Sequence, residues 1–236
     1  MASALTLIIG IAALVLLIAL VWRFSSIRAS LPCPAWLSWM VELDNPLFRN
    51  NRAQVIIDNS AVHPGMKVLD FGCGPGRLTL PLARLVGDGG EVTALDLQPG
   101  MLQRLREKAE AEGIGNIKYI LGAAGQGILP DNRYDSIFLV TVLGEIPDKV
   151  AALKEIFDSL KEKGTLSVTE VIADPHFLRQ NTVRHLAKSA GFVEKSFFGK
   201  SISYTVIFEK NEKGTSSHLE APPSLNPCIN YRKIEV

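Results

Sequence analysis

The sequence has few cysteines and no excess of charge of either sign. Its 236 residues include three cysteines, Cys33, Cys73 and Cys228, which lie far apart and form no CxxC pair. This argues against a disulfide framework and favours a reducing compartment. The 25 basic and 24 acidic side chains leave a formal net charge of +1. Because there is no dense basic run, we expect no nucleic-acid partner.

Histidine is scarce as well, and its spacing does not suggest a metal site. The chain has four histidines, His63, His176, His185 and His218. No two of them stand at the separation that metal ligands on one element require, so we expect no bound metal. The length suits one ordinary domain with an appendage rather than two large domains.

Residues 4–22 form an uncharged apolar run, ALTLIIGIAALVLLIALVW. A helix of about 20 apolar residues crosses the hydrocarbon core of a bilayer, so this run predicts one transmembrane helix. A cleaved signal peptide is the alternative, but no basic residue precedes the run. Arg23 and Arg28 follow it instead. Positive residues stay cytoplasmic, which predicts a single-pass protein whose body faces the cytoplasm.

Four segments follow from the pattern along the chain. We expect a transmembrane anchor with its juxtamembrane part in 1–30, an α/β domain in 50–210 and a disordered tail in 211–236, where prolines interrupt a polar sequence. Residues 31–49 carry Trp36, Trp39, Met40 and Leu43 at helical spacing. That segment is either an interfacial or lid helix or a helix packed on the domain.

From residue 50 onward, helical and extended patterns alternate. The strands are predicted at 67–71, 91–96, 118–121, 134–142, 165–171, 193–198 and 203–209, and the helices at 50–61, 78–85, 99–112, 148–161 and 180–190. Strands separated by helices indicate a Rossmann-like, doubly wound, mainly parallel sheet of seven strands. The short connection between the final two strands cannot be a parallel crossover, so these two should be antiparallel.

The segment VLDFGCGPGRLT, residues 68–79, carries the clearest functional signal. An apolar strand ends near Asp70, and glycines at alternate positions lead into a helix, which lets the backbone approach a ligand closely. A dinucleotide GxGxxG fingerprint starting at Gly72 would need a glycine where Arg77 stands, and no P-loop is present. Asp70 suits the ammonium of an amino-acid moiety better than a pyrophosphate. Asp96, which ends the next strand, suits ribose hydroxyls, and Met101 suits the base.

These motifs together resemble the class I S-adenosylmethionine-dependent methyltransferases, particularly the branch acting on ubiquinone, sterols and phospholipids. VLDFGCGPG is similar to that family's first motif, ALDLQPGML to its second, and YDSIFLVTVLGEIPD and KEKGTLSVTE to its fourth and fifth strands with their loops. The resemblance covers roughly residues 50–210. It implies S-adenosylmethionine as the cofactor.

The resemblance also implies roles for individual positions. Asp70, Gly72 and Gly74 should contact the methionine part of the cofactor, Asp96 the ribose, and Leu97 and Met101 the adenine, while Val140 or Thr141 should lie near the sulfonium. Two departures stand out. The family often has an aspartate at the place of Ala123, where adenine recognition would pass to backbone amides or weaken. A histidine often stands at the place of Gly144, so one general base is missing.

Glu145 and Glu170 are the candidates for handling a proton or orienting the acceptor, because both stand near the carboxyl ends of strands. With a membrane anchor, a lipid, quinone or other isoprenoid acceptor fits best, although a soluble thiol, amine or hydroxyl compound stays open. Arsenic methylation is disfavoured because the cysteines are not clustered. The competing interpretations are a non-catalytic scaffold that keeps the fold and, less favoured, a nicotinamide oxidoreductase.

Overall fold

The structure, a computed structural model, describes residues 6–11, 13, 14, 17, 48–123 and 125–211. The predicted segments 31–49 and 211–236 therefore fall almost wholly outside the described residues. Residues 6–11, 13, 14 and 17 are helical. None of the described helices is long and apolar enough to cross a bilayer. The predicted transmembrane run 4–22 extends beyond these residues and stays a prediction.

Seven strands build the sheet. They are β1 Lys67–Phe71, β2 Glu91–Asp96, β3 Ile117–Leu121, β4 Tyr134–Val140, β5 Leu160–Val171, β6 Phe192–Lys200 and β7 Ser203–Lys210. All seven were predicted, but β5 begins at Leu160 and not at 165. The sequence pattern continues the preceding helix to residue 161, whereas the structure pairs Leu160 with Tyr134 of β4 across a register shift.

Five α-helices alternate with the strands, and a 3₁₀ helix, Arg49–Asn51, comes before them. The α-helices are α1 Ala53–Asn59, α2 Thr79–Val86, α3 Pro99–Ala111, α4 Lys149–Ser159 and α5 Gln180–Ser189. Asp148 caps α4 as its residue type favours, since its Oδ1 accepts a hydrogen bond from the backbone N–H of Ala151 at 2.9 Å. Helix α4 is therefore fixed directly after the loop that follows β4.

The strand order is β3-β2-β1-β4-β5-β7-β6. The first five strands of this order pair in parallel, whereas β7 is antiparallel to both β5 and β6. The predicted Rossmann-like, mixed seven-stranded sheet is confirmed, including the antiparallel final pair. The order changes direction between β1 and β4, and ligands bind at such a switch point in open α/β sheets.

The core lies on both faces of the central strands. Ile137 and Phe138 are adjacent in β4 and point to opposite faces, yet both are fully buried. Ile137 packs into a cluster with α4 and α5, and Phe138 packs into a cluster with α1 and α2. Helices thus cover both faces, so the carboxyl ends of the parallel strands are the natural place for a ligand.

Candidate active site

An open cavity lies where β1, β2 and β4 end, at the switch point of the sheet. Eight of the ten predicted site residues line it, and these are Gly72, Gly74, Asp96, Leu97, Met101, Ala123, Val140 and Glu145. The other two, Asp70 and Glu170, are not part of its wall. The fold therefore brings together residues from four separate loops, as the resemblance implied.

The glycine loop after β1 is held against the end of β2. The backbone N–H groups of Gly72 and Cys73 both donate to the carbonyl oxygen of Leu95, at 2.8 and 3.0 Å. Gly72 has a φ of +73°, in the left-handed region that favours glycine. A Cβ placed on Gly72 would stand 2.4 Å from Cγ2 of Val142. Glycine is therefore required here for backbone conformation and for space.

Asp96 connects the glycine loop to the loop after β2. Its Oδ2 accepts a hydrogen bond from the backbone N–H of Gly74, and its Oδ1 accepts one from Gln98, both at 2.9 Å. Burial raises the pKa of this carboxyl, and hydrogen bonds from the backbone of Gln98, Gly74 and Leu97 oppose the rise. The carboxylate is thus fixed in the cavity wall, where it is placed to accept hydrogen bonds from a ribose.

Leu97 and Met101 form an apolar surface beside Asp96. Met101 is buried, whereas the Leu97 side chain is 58% exposed although it belongs to the cavity wall. An exposed leucine next to a hydrogen-bonding carboxylate suits a ligand with a flat apolar part and hydroxyl groups. The predicted adenine contacts of both residues stay a prediction.

Asp70 lies beneath the glycine loop rather than in the cavity. Its Oδ2 accepts a hydrogen bond from the hydroxyl of Thr79, the first residue of α2, at 2.6 Å. Burial raises the pKa of Asp70 to about 6, against the lowering effects of Thr79 and Arg77. The structure gives Asp70 a part in fixing the loop to α2, and its predicted contact with an ammonium group stays a prediction.

The chain turns sharply into the cavity at the end of β4. Thr141 has a φ of +56°, which is rare for a β-branched residue. Its N–H donates to the carbonyl of Thr169 at 2.8 Å, and its hydroxyl donates to the carbonyl of Val140 at 2.7 Å. Backbone strain of this kind persists where surrounding contacts over-determine the conformation, and it clusters at functional sites. Both Val140 and Thr141 line the cavity.

Glu145 and Asp174 bring two further carboxyl groups to the cavity wall. Burial raises the pKa of Glu145 to about 8, and the negative charges of Asp174 and Asp96 add to the rise. Sequence reasoning missed Asp174, because Asp-Pro after a strand reads as an ordinary turn. It also missed Gln98, whose backbone holds Asp96, and the apolar wall residues Ile146 and Pro147.

Glu170 lies outside the cavity wall. Its side chain is buried, and its Oε2 accepts a hydrogen bond from the backbone N–H of Leu178 at 3.1 Å. Glu170 therefore holds the loop 172–179 in place. Its predicted role in handling a proton or orienting the acceptor stays a prediction.

The charged side chains of the cavity wall indicate which class of cofactor the site can hold. Its wall holds the carboxyl groups of Asp96, Glu145 and Asp174, and no lysine, arginine or histidine from the described part of the chain. A dinucleotide with a pyrophosphate would find carboxyl groups and no cationic side chain among the described wall residues. A cationic sulfonium compound with a ribose and an adenine is complementary instead. The residues thus fit S-adenosylmethionine, with Gly72, Gly74 and Asp96 holding it and Leu97 and Met101 beside its base.

Comparisons with known proteins agree with this assignment. Residues 62–216 match the family described as methyltransferase domain. The ubiquinone/menaquinone biosynthesis C-methyltransferase UbiE of Shewanella halifaxensis is 39% identical over 121 residues, which are 51% of this chain and 48% of that protein. The UbiE of Cronobacter sakazakii is 42% identical over 115 residues, 48% of this chain and 46% of that protein. The chain spans about half the length of the curated relatives it matches.

Solved structures show the same fold at low sequence identity. A SAM dependent methyltransferase from Aquifex aeolicus has a TM-score of 0.68 and 21% identity, covering 76% of this chain and 100% of that one. The [4+2]-cyclase SpnF has a TM-score of 0.57 and 21% identity, covering 62% and 58%. The fold alone therefore does not fix the reaction. The family match extends over more than half of the chain, and the chain belongs to the class I S-adenosylmethionine-dependent methyltransferases.

Proposed function

We propose that the protein transfers a methyl group from S-adenosylmethionine to a ring carbon of a lipophilic, quinone-type acceptor at a membrane, with its domain on the cytoplasmic side. The observation that carries the acceptor assignment is the part of the cavity wall that the predicted cofactor residues do not form. There, Val142, Ile146 and Pro147 stand beside Glu145. An apolar wall with one embedded carboxyl suits a flat apolar molecule that carries a hydroxyl. The printed names of the UbiE relatives, as C-methyltransferases of ubiquinone and menaquinone biosynthesis, support the same class.

The proposed reaction releases a proton, so the active site needs a group that can accept it. Bound S-adenosylmethionine supplies an electrophilic methyl group on a sulfonium centre. Methylation of a ring carbon replaces a C–H bond by a C–CH₃ bond, so one proton leaves for each methyl group transferred. Glu145 is positioned to take a proton from the acceptor, because its pKa of about 8 makes it a competent base near neutral pH. Val140 and Thr141, held by the strained end of β4, fix the position of the acceptor against the cofactor.

Cofactor binding is the first test of this function. The full chain in mild detergent should bind S-adenosylmethionine, measured by isothermal titration calorimetry. Asp96→Ala should weaken binding about 100-fold or more, since it removes a charged hydrogen-bond acceptor and releases the Gly74 loop. Asp88→Ala is the matched control, because Asp88 is exposed just before β2, at the end of that strand away from the cavity.

Absence of binding by a folded sample would contradict the proposal and favour a non-catalytic scaffold. If the cofactor binds, the proposed acceptor is tested by measuring transfer of a labelled methyl group to a hydroquinone with an isoprenoid side chain. If S-adenosylmethionine binds but no such ring is methylated, the cofactor site is supported and the proposed acceptor class is refuted. Transfer to a water-soluble amine or thiol would assign a different acceptor.

Membrane association is supported by the amino-terminal apolar residues. Leu7, Ile8, Ile9, Ile11, Leu14 and Leu17 belong to the described helical residues and are all between 55% and 66% exposed. Apolar side chains that are exposed side by side on a helix are unfavourable in water and favourable in lipid. Such a segment would hold the domain beside a bilayer, where a lipophilic acceptor is concentrated.

This location can be checked by flotation with phosphatidylcholine–phosphatidylglycerol vesicles. The full chain should float with the vesicles, and Ile11→Glu/Leu14→Glu should remain largely at the bottom of the gradient, because a charged side chain in the apolar layer costs about 2.5–3.5 kcal/mol. Val150→Glu/Val193→Glu, at equally exposed apolar positions of the domain, is the control that should still float. Equal flotation of both double variants would contradict a membrane role for the amino-terminal residues.

A further inference from the structure

The turn between β6 and β7 and the start of the loop 172–179 form one exposed apolar surface. Val171, at the end of β5, pairs with Ser203, at the start of β7, and the N–H of Ile172 donates to the carbonyl of Ile202 at 2.8 Å. The two isoleucines are therefore neighbours, and they are 42% and 50% exposed. Adjacent large apolar side chains are unfavourable in water, so this surface suits an apolar partner.

Both segments of this surface are held in place by buried groups. Leu178, near the end of the loop, donates its N–H to Glu170, and its carbonyl oxygen accepts a hydrogen bond from the hydroxyl of Tyr204 at 2.6 Å. Tyr204 is itself fully buried in β7, directly after the turn and Ser203. A fixed part of the fold thus presents the two isoleucines.

Exposed basic side chains accompany the isoleucines. Lys200 is the last residue of β6, Arg179 comes directly before α5, and Arg49 begins the 3₁₀ helix, which packs against β7. All three are exposed. Asp174 is the one acidic residue of the segments 49–51, 172–179 and 199–203, and it is half-buried in the cavity wall. An apolar centre with basic neighbours is complementary to a bilayer that contains anionic lipids.

This surface lies at the same edge of the sheet as the active-site cavity. The parallel strands end at this edge, and Asp174, two residues after Ile172, belongs to the cavity wall. A lipophilic acceptor that leaves a bilayer at the two isoleucines would therefore have a short path to the cavity.

The chain also enters the domain at this edge. The described residues of the domain begin at Phe48, and the side-chain amide of Asn50 donates a hydrogen bond to the carbonyl of Ser203, next to Ile202, at 3.4 Å. A membrane anchor in residues 4–22 would therefore tether the domain by the edge that carries the isoleucines. Both apolar regions would then contact the same bilayer.

We propose that the domain rests on an anionic bilayer with this edge, so that the two isoleucines enter the interfacial layer and the three basic side chains contact lipid phosphate groups. This inference rests on the proposed membrane location and adds the surface through which the domain binds and the class of lipid that it prefers. Buried apolar area and attraction between basic side chains and anionic lipids both strengthen such binding. The cavity then lies next to the lipid that holds the proposed acceptor.

The orientation is measured with an NBD fluorophore on single cysteines of the full chain in phosphatidylcholine–phosphatidylglycerol vesicles. Cys33 and Cys228 are replaced by serine, whereas Cys73 is buried and is kept. Ile202→Cys is the reporter. Val193→Cys is the matched control, since Val193 is also 50% exposed but lies at the opposite end of the same strand pair. The emission at position 202 should shift to shorter wavelength, and a doxyl-labelled lipid should quench it at least about twofold more than the emission at position 193.

The contribution of charge is measured with the same reporter. Lys200→Gln should lower the ratio of docked to undocked domain about fivefold, because it removes one cation from the lipid surface. Lys188→Gln, at an exposed site in the last turn of α5, should leave the ratio unchanged. Ile172→Cys provides a second reporter at the same edge, and its label should behave like the one at position 202.

Equal quenching at positions 202 and 193 would overturn the proposed orientation. A shift in emission at position 202 without quenching by the lipid would also overturn it, because another part of the protein would then cover the site. Equal quenching with and without Lys200→Gln would overturn the preference for anionic lipid. A chain that does not float with the vesicles would instead refute the membrane location in the proposed function.

Discussion

Gly72→Ala should reduce the affinity for S-adenosylmethionine by about 100-fold, because the new methyl group collides with Val142 in the loop after β4. The Cβ would stand 2.4 Å from Cγ2 and 3.0 Å from Cγ1 of Val142. Since both residues line the cavity, relief of the collision must move either the glycine loop or the end of β4. Calorimetric titration with S-adenosylmethionine measures the effect.

The left-handed backbone at Gly72 would by itself penalise alanine, so a control with the same conformation is needed. Gly113 has a φ of +67°, against +73° for Gly72, and a Cβ there would meet nothing within 4 Å. Gly113→Ala should therefore cost about 1 kcal/mol of unfolding free energy and leave cofactor affinity intact. Val142→Ala should restore much of the affinity in the Gly72→Ala background, because it removes the colliding atoms. A double variant as weak as Gly72→Ala would refute the collision as the cause.

The sequence predicts the sheet well because its strands are short apolar runs separated by glycine breaks. Eight residues of the cavity wall were also among the predicted site residues, most of them because the resemblance to the methyltransferase motifs implies a role for each position. Glu145 was predicted because it stands near the carboxyl end of a strand.

The orientation of a side chain near the carboxyl end of a strand is harder to predict. Glu170 lies in a stretch of β5 whose last six residues, 166–171, are all buried. Residues 166–169 alternate apolar and polar side chains, and Glu170 falls in register with Leu166 and Val168, where this pattern predicts an apolar core residue. The sequence pattern therefore does not show what a carboxyl at this position contacts.

Gly144 and Asp174 could not be interpreted from local sequence for a different reason. Gly144 reads as the loss of a histidine, whereas the structure shows that the backbone of His176 occupies the space a side chain would need. Gly144 and His176 are more than 30 positions apart, and their contact depends on the parallel pairing of β4 with β5. A single sequence does not show such a contact, so the position of Asp174 in the cavity wall could be recognised only from the structure.

The second large effect concerns the stability of the protein as a function of pH. Burial raises the pKa of Glu170 to about 8 from an ordinary value of 4.5. Its Oε1 has no hydrogen-bond partner among the described residues. Below pH 4.5 both the folded and the unfolded chain hold a proton on Glu170, and the stabilising contribution is fully present. As the pH rises from 4.5 to about 8 the contribution is lost, because the unfolded chain ionises freely whereas the buried carboxyl of the folded protein keeps its proton.

Glu170→Gln should remove this dependence while it preserves the acceptor for the N–H of Leu178. Between pH 5 and pH 9 the wild-type protein should lose roughly 1–4 kcal/mol more unfolding free energy than the variant, measured by urea denaturation. Glu145, Asp174 and Lys149 are present in both proteins, so the comparison isolates the ionisation of Glu170 together with its coupling to these three charges. Glu162→Gln, at an exposed site on the same strand, should retain the wild-type slope. Identical slopes in wild type and Glu170→Gln would show that the carboxyl is already ionised in the folded state, and the anchor at Leu178 would then be a charged hydrogen bond.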